Sequence, residues 1–182
     1  MHNDIQGVLF SEETLQKRVR EMGAQIAGDY KGKNPAMVCI LKGAVMFYTD
    51  LLRAMPIPLT MDFMAVSSYG KRTKASGEVE IRKDLSTSIE NRHVIIVEDI
   101  IDSGFTLTYL SRMLAARGAA SIRICTLLDK PARRAPGITL KSDYYGFIVP
   151  DAFVVGYGLD YDETYRNLPY IGVLKPEIYE NN

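Results

Sequence analysis

Three acids and a small-residue turn stand together in VIIVEDIIDSGFTLTYL, residues 94–110. Glu98, Asp99 and Asp102 interrupt an apolar run, and carboxylates ending a core strand are costly unless water, a metal ion or a ligand meets them. Ser103-Gly104-Phe105-Thr106 follows, offering two hydroxyls, a glycine that admits close approach to the backbone, and the first amides of a helix. Such a helix start favours an anion, through its free N–H groups and its dipole. Carboxylates accept from sugar hydroxyls while turn amides donate to phosphate, so the spacing suits a ligand that presents both, such as a phosphorylated ribose. Helix capping is the plainer reading of Asp and Ser here; it accounts for one acid and leaves Glu98 and Asp99 unexplained.

The elements that must position these residues are legible in outline. Val94 to Val97 read as a central parallel strand, and the helix after the turn spans about Thr106 to Arg117, with Leu107, Leu110, Met113 and Leu114 on one face and Gly118 as its stop. Upstream, residues 11–30 form an amphipathic helix capped by Ser11, with Leu15, Val19, Met22 and Ile26 buried. Ala36–Leu41 is a short buried strand. Lys42-Gly43 turns from it into a helix over 44–54, ended by Pro56 and Pro58. Strands follow at 59–68, 79–83, 121–128, 144–150 and 153–158, with a polar loop at 69–78 and a basic turn, DKPARRAPG, after the strand at 121–128. Strands alternating with helices imply an α/β fold, a mostly parallel twisted sheet flanked by helices, with ligands bound at the carboxyl ends of its strands. That rim gathers Lys42-Gly43, the acids and Lys130.

Composition narrows the classes. With 182 residues and 22 basic against 22 acidic side chains, the net charge is zero, so no global field draws the chain to nucleic acid or an anionic membrane. The N-terminus lacks a signal-peptide pattern and no stretch reaches a membrane span, which predicts a cytoplasmic protein. Cys39 and Cys125 lie in apolar runs and read as buried reduced thiols; with His2 and His93 alone besides, no Cys/His metal cluster forms. A hard cation held by carboxylates and phosphate is the metal the chain invites. Neither GxxxxGK[ST] nor GxGxxG after a strand is present, against a P-loop or a dinucleotide fold.

VEDIIDSGFT resembles the phosphoribosyl-pyrophosphate signature of type I phosphoribosyltransferases: two acids, apolar residues, then Asp and a Ser/Thr-Gly turn. LKG at 41–43, SSYG at 67–70, LLDKP at 127–131 and FVVGYGLDYDETYRNLPYIG at 153–172 are similar to the hypoxanthine-guanine branch, and the similarity runs to about Val173. The resemblance implies one domain over 1–182, with a core at about 35–150 and a small hood from 1–15 and 150–182. It also implies magnesium-dependent transfer of a phosphoribosyl group from phosphoribosyl pyrophosphate to a 6-oxopurine, a purine salvage reaction. Glu98 and Asp99 match acids that hold the ribose hydroxyls and help position magnesium. Asp102 to Thr106, including Ser103, Gly104 and Phe105, match the turn enclosing the 5′-phosphate. Asp102 also matches the proposed general base facing N7 of the purine. Lys42 and Gly43 match a pyrophosphate loop often preceded by a non-proline cis peptide, and Ser68 and Tyr69 the start of a mobile loop. Lys130 matches the donor to the 6-oxo group, Phe153 the aromatic stacked on the base, and Val154 a backbone contact to the purine's other edge. Asp160 and Arg166 match a second magnesium contact and a pyrophosphate contact.

Phe105 departs from relatives that carry Lys, which leaves the phosphate to backbone amides and to Ser103 and Thr106. Taken without the resemblance, Lys42 and Lys130 read as rim charges, Phe153 as strand core, and Asp160 with Arg166 as a surface ion pair. Two other readings stay open: a xanthine-preferring transferase, and a non-enzymatic regulator on the same fold that senses phosphoribosyl pyrophosphate while binding RNA or DNA. The chain keeps Asp102 and Lys130 and has no net positive charge, features a regulator need not have. A small parallel-sheet domain with exposed apolar surface is expected to self-associate as a homodimer or homotetramer.

Overall fold

The structure is a computed structural model that describes residues 1–68 and 79–180. In chain order its elements are β1 (Ile5–Phe10), α1 (Glu12–Asp29), β2 (Ala36–Leu41), α2 (Val45–Arg53), β3 (Thr60–Ser68), β4 (Val79–Lys83), β5 (His93–Ile101), α3 (Phe105–Ala116), β6 (Ser121–Asp129), β7 (Tyr144–Ile148), β8 (Val154–Val155), β9 (Ile171–Leu174) and α4 (Pro176–Tyr179).

β2 and β5 are apolar along most of their length because both faces are covered. Met37, Cys39, Ile95 and Val97 enter one core cluster with α1 and α2, while Val38, Ile40, Val94 and Ile96 enter the other with α3. This is the two-residue period of a strand read against two layers of helix, and each such side chain contributes about 1.5–3 kcal/mol on burial. Ser11 caps α1 by accepting from the Thr14 amide at 3.2 Å, and Leu15, Val19, Met22 and Ile26 form its buried stripe as the spacing requires. Gly23 lets α1 lie close to the end of α2, since a Cβ there would come 2.6 Å from that of Ala54.

The six-stranded sheet has the order β4-β3-β2-β5-β6-β7, parallel except for the antiparallel edge strand β4. The chain steps outward from β2 to β3 on one side and from β5 to β6 on the other. The reversal falls between β2 and β5, which is where open α/β sheets bind ligands. Cys39 pairs with Val97 in that register, so the turn after β2 emerges beside Glu98 and Asp99.

Several boundaries differ from the sequence pattern. The acids do not end the strand: β5 continues through Ile101, with Glu98 paired to Thr126 and Ile101 to Asp129. The run at 153–158 holds strand only at Val154–Val155, because Gly156, Tyr157 and Gly158 take positive φ values of 100, 51 and 105° and curl the chain. β7 stops at Ile148, ahead of Pro150. β1 and β9 have no counterpart in the sequence reading; with β8 they form a second, antiparallel sheet of order β1-β9-β8. The loop at 69–78, and with it Tyr69, lies outside the described residues, as does the side chain of Ser68. No helix among the described residues is long and apolar enough to cross a membrane. Cys39 and Cys125 are buried and free, and burial pushes the Cys39 thiol up to about 12.

Candidate active site

The reversal point opens into a cavity of about 340 Å³ lined by Lys42, Gly43, Glu98, Asp99, Asp102, Ser103, Gly104, Thr106, Asp160 and Arg166. Residues separated by more than a hundred positions in the chain thus share one space. Phe105, Lys130, Phe153 and Val154 lie outside that lining.

Glu98 and Asp99 are partly buried on the β5 end. Burial, and then the charge of Asp99 beside it, push the Glu98 carboxyl well above the usual carboxylate range. Burial also raises Asp99, against the opposing hydrogen bond with Glu98. The cations of the cavity are paired with other acids, Lys42 with Glu163 and Arg166 with Asp160, and the charge of Arg166 only partly offsets the rise at Asp99. Two adjacent carboxylates held this way are short of positive charge, and the donor set is all hard oxygen. That fits magnesium, which binds through one or two carboxylates and takes its other ligands from substrate phosphate and water. Among the described residues no group of three or more potential metal ligands clusters.

The turn after β5 has a backbone shaped like a helix-start anion cradle. Gly104 sits at φ 85° as the residue before α3, and the Phe105 amide leans on Ser103 Oγ at 3.5 Å. A Cβ at 104 would meet Ile138 at 2.8 Å and Arg134 at 3.3 Å. The Phe105 side chain turns away from the cradle into an outer groove with Tyr109 and Ile138. Its departure from lysine therefore places an apolar ring in solvent-facing space and leaves only its amide at the turn. The Asp102 side chain is half exposed, 3.6 Å from Arg133 Nε.

Opposite the cradle, the Leu41-Lys42 peptide is cis. Gly43 is dictated by Asp99, whose carboxylate would overlap any Cβ at 43, and Gly158 is dictated in turn by the Gly43 carbonyl. The loop 156–168 is laid against the turn after β2 in this way, bringing Arg166 to the cavity. Arg166 donates to the Gly158 carbonyl at 2.7 Å and pairs with Asp160 at 2.9 Å; its Nε is buried with no hydrogen-bond partner among the described residues. Asp160 is thus held by Arg166 and by the Glu163 amide at 2.9 Å, apart from the Glu98–Asp99 pair. Glu163 was not singled out in the sequence. It bridges the two cations, 2.9 Å from Lys42 and 3.4 Å from Arg166, and Lys42 holds its carboxyl below the usual range.

The remaining residues form a second group at the ends of β6 and β8. Lys130 is buried, not a rim charge, and its ammonium donates to the Ala152 carbonyl at 2.8 Å with Asp151 at 3.9 Å. Phe153 is not core: it is 36% exposed and stacks on Tyr179 of α4 at 4.9 Å, with Tyr161 edge-on at 5.5 Å. Val154 is buried in β8, at the edge of the small sheet.

Residues 9–162 match the family model described as a phosphoribosyl transferase domain. The chain is 57% identical to a hypoxanthine-guanine phosphoribosyltransferase of Bacillus subtilis, covering all of this chain and 99% of that protein. The chain belongs to the hypoxanthine-guanine phosphoribosyltransferase family. A crystal structure of a hypoxanthine phosphoribosyltransferase from Staphylococcus aureus superposes with a TM-score of 0.94 at 52% identity, over 98% of this chain and 96% of that one. The chain is also 59% identical to part of a bifunctional protein TilS/HprT of Listeria innocua; the match covers 98% of this chain and 27% of that longer protein.

Within this phosphoribosyltransferase fold, the residues that sequence reasoning missed are those whose partners depend on the path of a loop. Glu163, Arg133, Arg134 and Asp151 all carry charge in turns, and the pair Arg133-Arg134 is visible in the sequence only as a basic stretch. Their contacts follow from tertiary placement, for which a spacing rule has no signal.

Proposed function

We propose that this chain catalyses magnesium-dependent transfer of the 5-phosphoribosyl group of phosphoribosyl pyrophosphate to N9 of hypoxanthine, and of guanine, releasing pyrophosphate and the nucleoside monophosphate. The observation that carries this reading is the convergence of three chemistries on one cavity: two charge-starved carboxylates, a backbone anion cradle and a pair of cations. In it, Glu98 and Asp99 grip the ribose hydroxyls and hold magnesium, with Asp160 close to the pyrophosphate end. The amides from Ser103 to Thr106 and their hydroxyls enclose the 5′-phosphate. Breaking the bond at C1 builds positive charge on the ribose and negative charge on the leaving group, and Lys42 and Arg166 neutralise the latter. Magnesium, when bound, supplies further charge neutralisation and orients the pyrophosphate. Asp102, exposed at the cavity rim, takes the N7 proton as N9 attacks, a role commonly worth about 10²–10⁴-fold.

Phe153 offers its face to the base, and Val154 its backbone on the edge strand β8. Lys130 sets the base preference, because an ammonium has only donors: it pairs with a 6-oxo group and opposes the 6-amino group of adenine. The test is turnover with magnesium, phosphoribosyl pyrophosphate and each of hypoxanthine, guanine, xanthine and adenine, followed as nucleotide and pyrophosphate. Hypoxanthine and guanine should react and adenine should not. Absence of turnover with all four bases would refute the enzyme reading, and preferential turnover of xanthine would replace the substrate.

A further inference from the structure

Three consecutive carbonyls of the cradle, those of Ile101, Asp102 and Ser103, are each held from one segment, residues 130–135. The Lys130 amide donates to Ile101 O at 3.0 Å, Arg134 Nη1 donates to Asp102 O at 2.6 Å, and the Ala135 amide donates to Ser103 O at 3.1 Å. The middle bond alone comes from a side chain. Arg134 is 15% exposed, and its Nη2 is fixed by the Asp129 carboxylate at the end of β6, a charge-assisted bond. The guanidinium therefore spans two strand ends, β5 and β6, with a planar fork that a lysine ammonium does not offer. Gly104 lies close to the same side chain, since a Cβ there would come 3.3 Å from Arg134 Cδ.

We propose that Arg134 is a positioning residue for the transfer reaction, fixing Asp102 in register with Lys130. The proposal rests on the assignment of Asp102 as the base and Lys130 as the purine donor. Asp102 must face N7 while Lys130 meets the 6-oxo group of the same ring, so the two have to be held at one separation. Their main chains are joined at Ile101–Lys130, and Arg134 supplies the only side-chain contact to the Asp102 backbone among the described residues. Arg133 lies closer to the Asp102 carboxylate, but it is more than half exposed and reaches only 3.6 Å; such a pair steers weakly. A misplacement of about 1 Å at such a group costs about 10²-fold in rate.

The experiment compares Arg134→Ala, Arg134→Lys and Asp102→Asn singly, and Arg134→Ala in the Asp102→Asn background. The readouts are kcat, KM for both substrates and the thermal midpoint. Arg134→Ala should lower kcat about a hundredfold with less than threefold change in the hypoxanthine KM, and Arg134→Lys should not restore it. Added guanidinium should recover part of the loss. In the Asp102→Asn background the same substitution should cost under threefold, because the group it positions is gone. Arg134→Ala with kcat within threefold of the parent, or an equal loss in both backgrounds, overturns the proposal. An inactive parent, or an Asp102→Asn variant with undiminished kcat, refutes the function reading instead, so the two failures are distinct.

Discussion

Glu163 is the second residue of a two-residue hairpin turn closed by Tyr161 and Thr164, at φ 61° beside Asp162 at φ 48°. Glycine and asparagine are favoured at such positions, and a side chain in the left-handed region costs about 1–2 kcal/mol. The turn nevertheless delivers a carboxylate to Lys42 and Arg166, the cations assigned to pyrophosphate. It satisfies them with the same chemistry that the leaving group uses, so pyrophosphate has to displace it. Both members of the Lys42 pair are about two-thirds exposed, so solvent screens the pair and the competition is weak. Glu163→Gln should therefore tighten pyrophosphate binding by about two- to fivefold, read as product inhibition or by calorimetry; unchanged or weaker binding would contradict this account.

At the scale of elements, Asp62 on β3 fastens the connection between β4 and β5. One carboxylate oxygen accepts from the Phe63 amide at 2.8 Å, the other from the Ser86 and Thr87 amides at 2.9 and 3.2 Å, and Lys83 stands 3.7 Å away. Burial pushes the carboxyl up, but the amides and Lys83 outweigh it and hold the group below its usual value. Asp62→Ala strands those amides and should cost about 2–3 kcal/mol in denaturant unfolding at pH 7. A depressed carboxyl stabilises the fold above its unfolded pKa, about 3.9, and that contribution is lost as pH falls through the lower folded value. The difference between variant and parent should accordingly shrink below about pH 4; a constant difference down to pH 2 would disprove the charge argument.

The parallel sheet was legible because β2, β5 and β6 carry dense apolar runs, and α1 because its stripe and cap agree. β1 and β9 were not, because each is short and contains glycine, and β1 is largely exposed while β9, though buried, spans only four residues. The site divides similarly. Glu98, Asp99 and Asp102 were readable as acids where a core strand should stay apolar. Arg134 and Glu163 were invisible, since nothing in a turn's composition says which carbonyl or cation it will reach.

Over the whole molecule, equal numbers of acidic and basic residues leave no net charge to draw anions from a distance, so any anion affinity has to be local. Val8, Met46, Met61 and Ile148 remain exposed, between 41% and 62%. Their burial in a partner copy is the basis for expecting a homodimer or homotetramer. Light scattering after size exclusion should give two or four times the chain mass of 20.4 kDa, and a mass of one chain would rule this out. The turn after β2 and the loop after β8 meet at Gly43 and Gly158, main chain against main chain, since a Cβ at 158 would overlap the Gly43 carbonyl oxygen. Volume added there has nowhere to go except into lifting the loop off the turn, and that loop carries Asp160 and Arg166 together. A single methyl group at 158 would thus be felt as lost electrostatics at the Asp160 and Arg166 side of the cavity, although the glycine itself bears no charge and need touch no ligand.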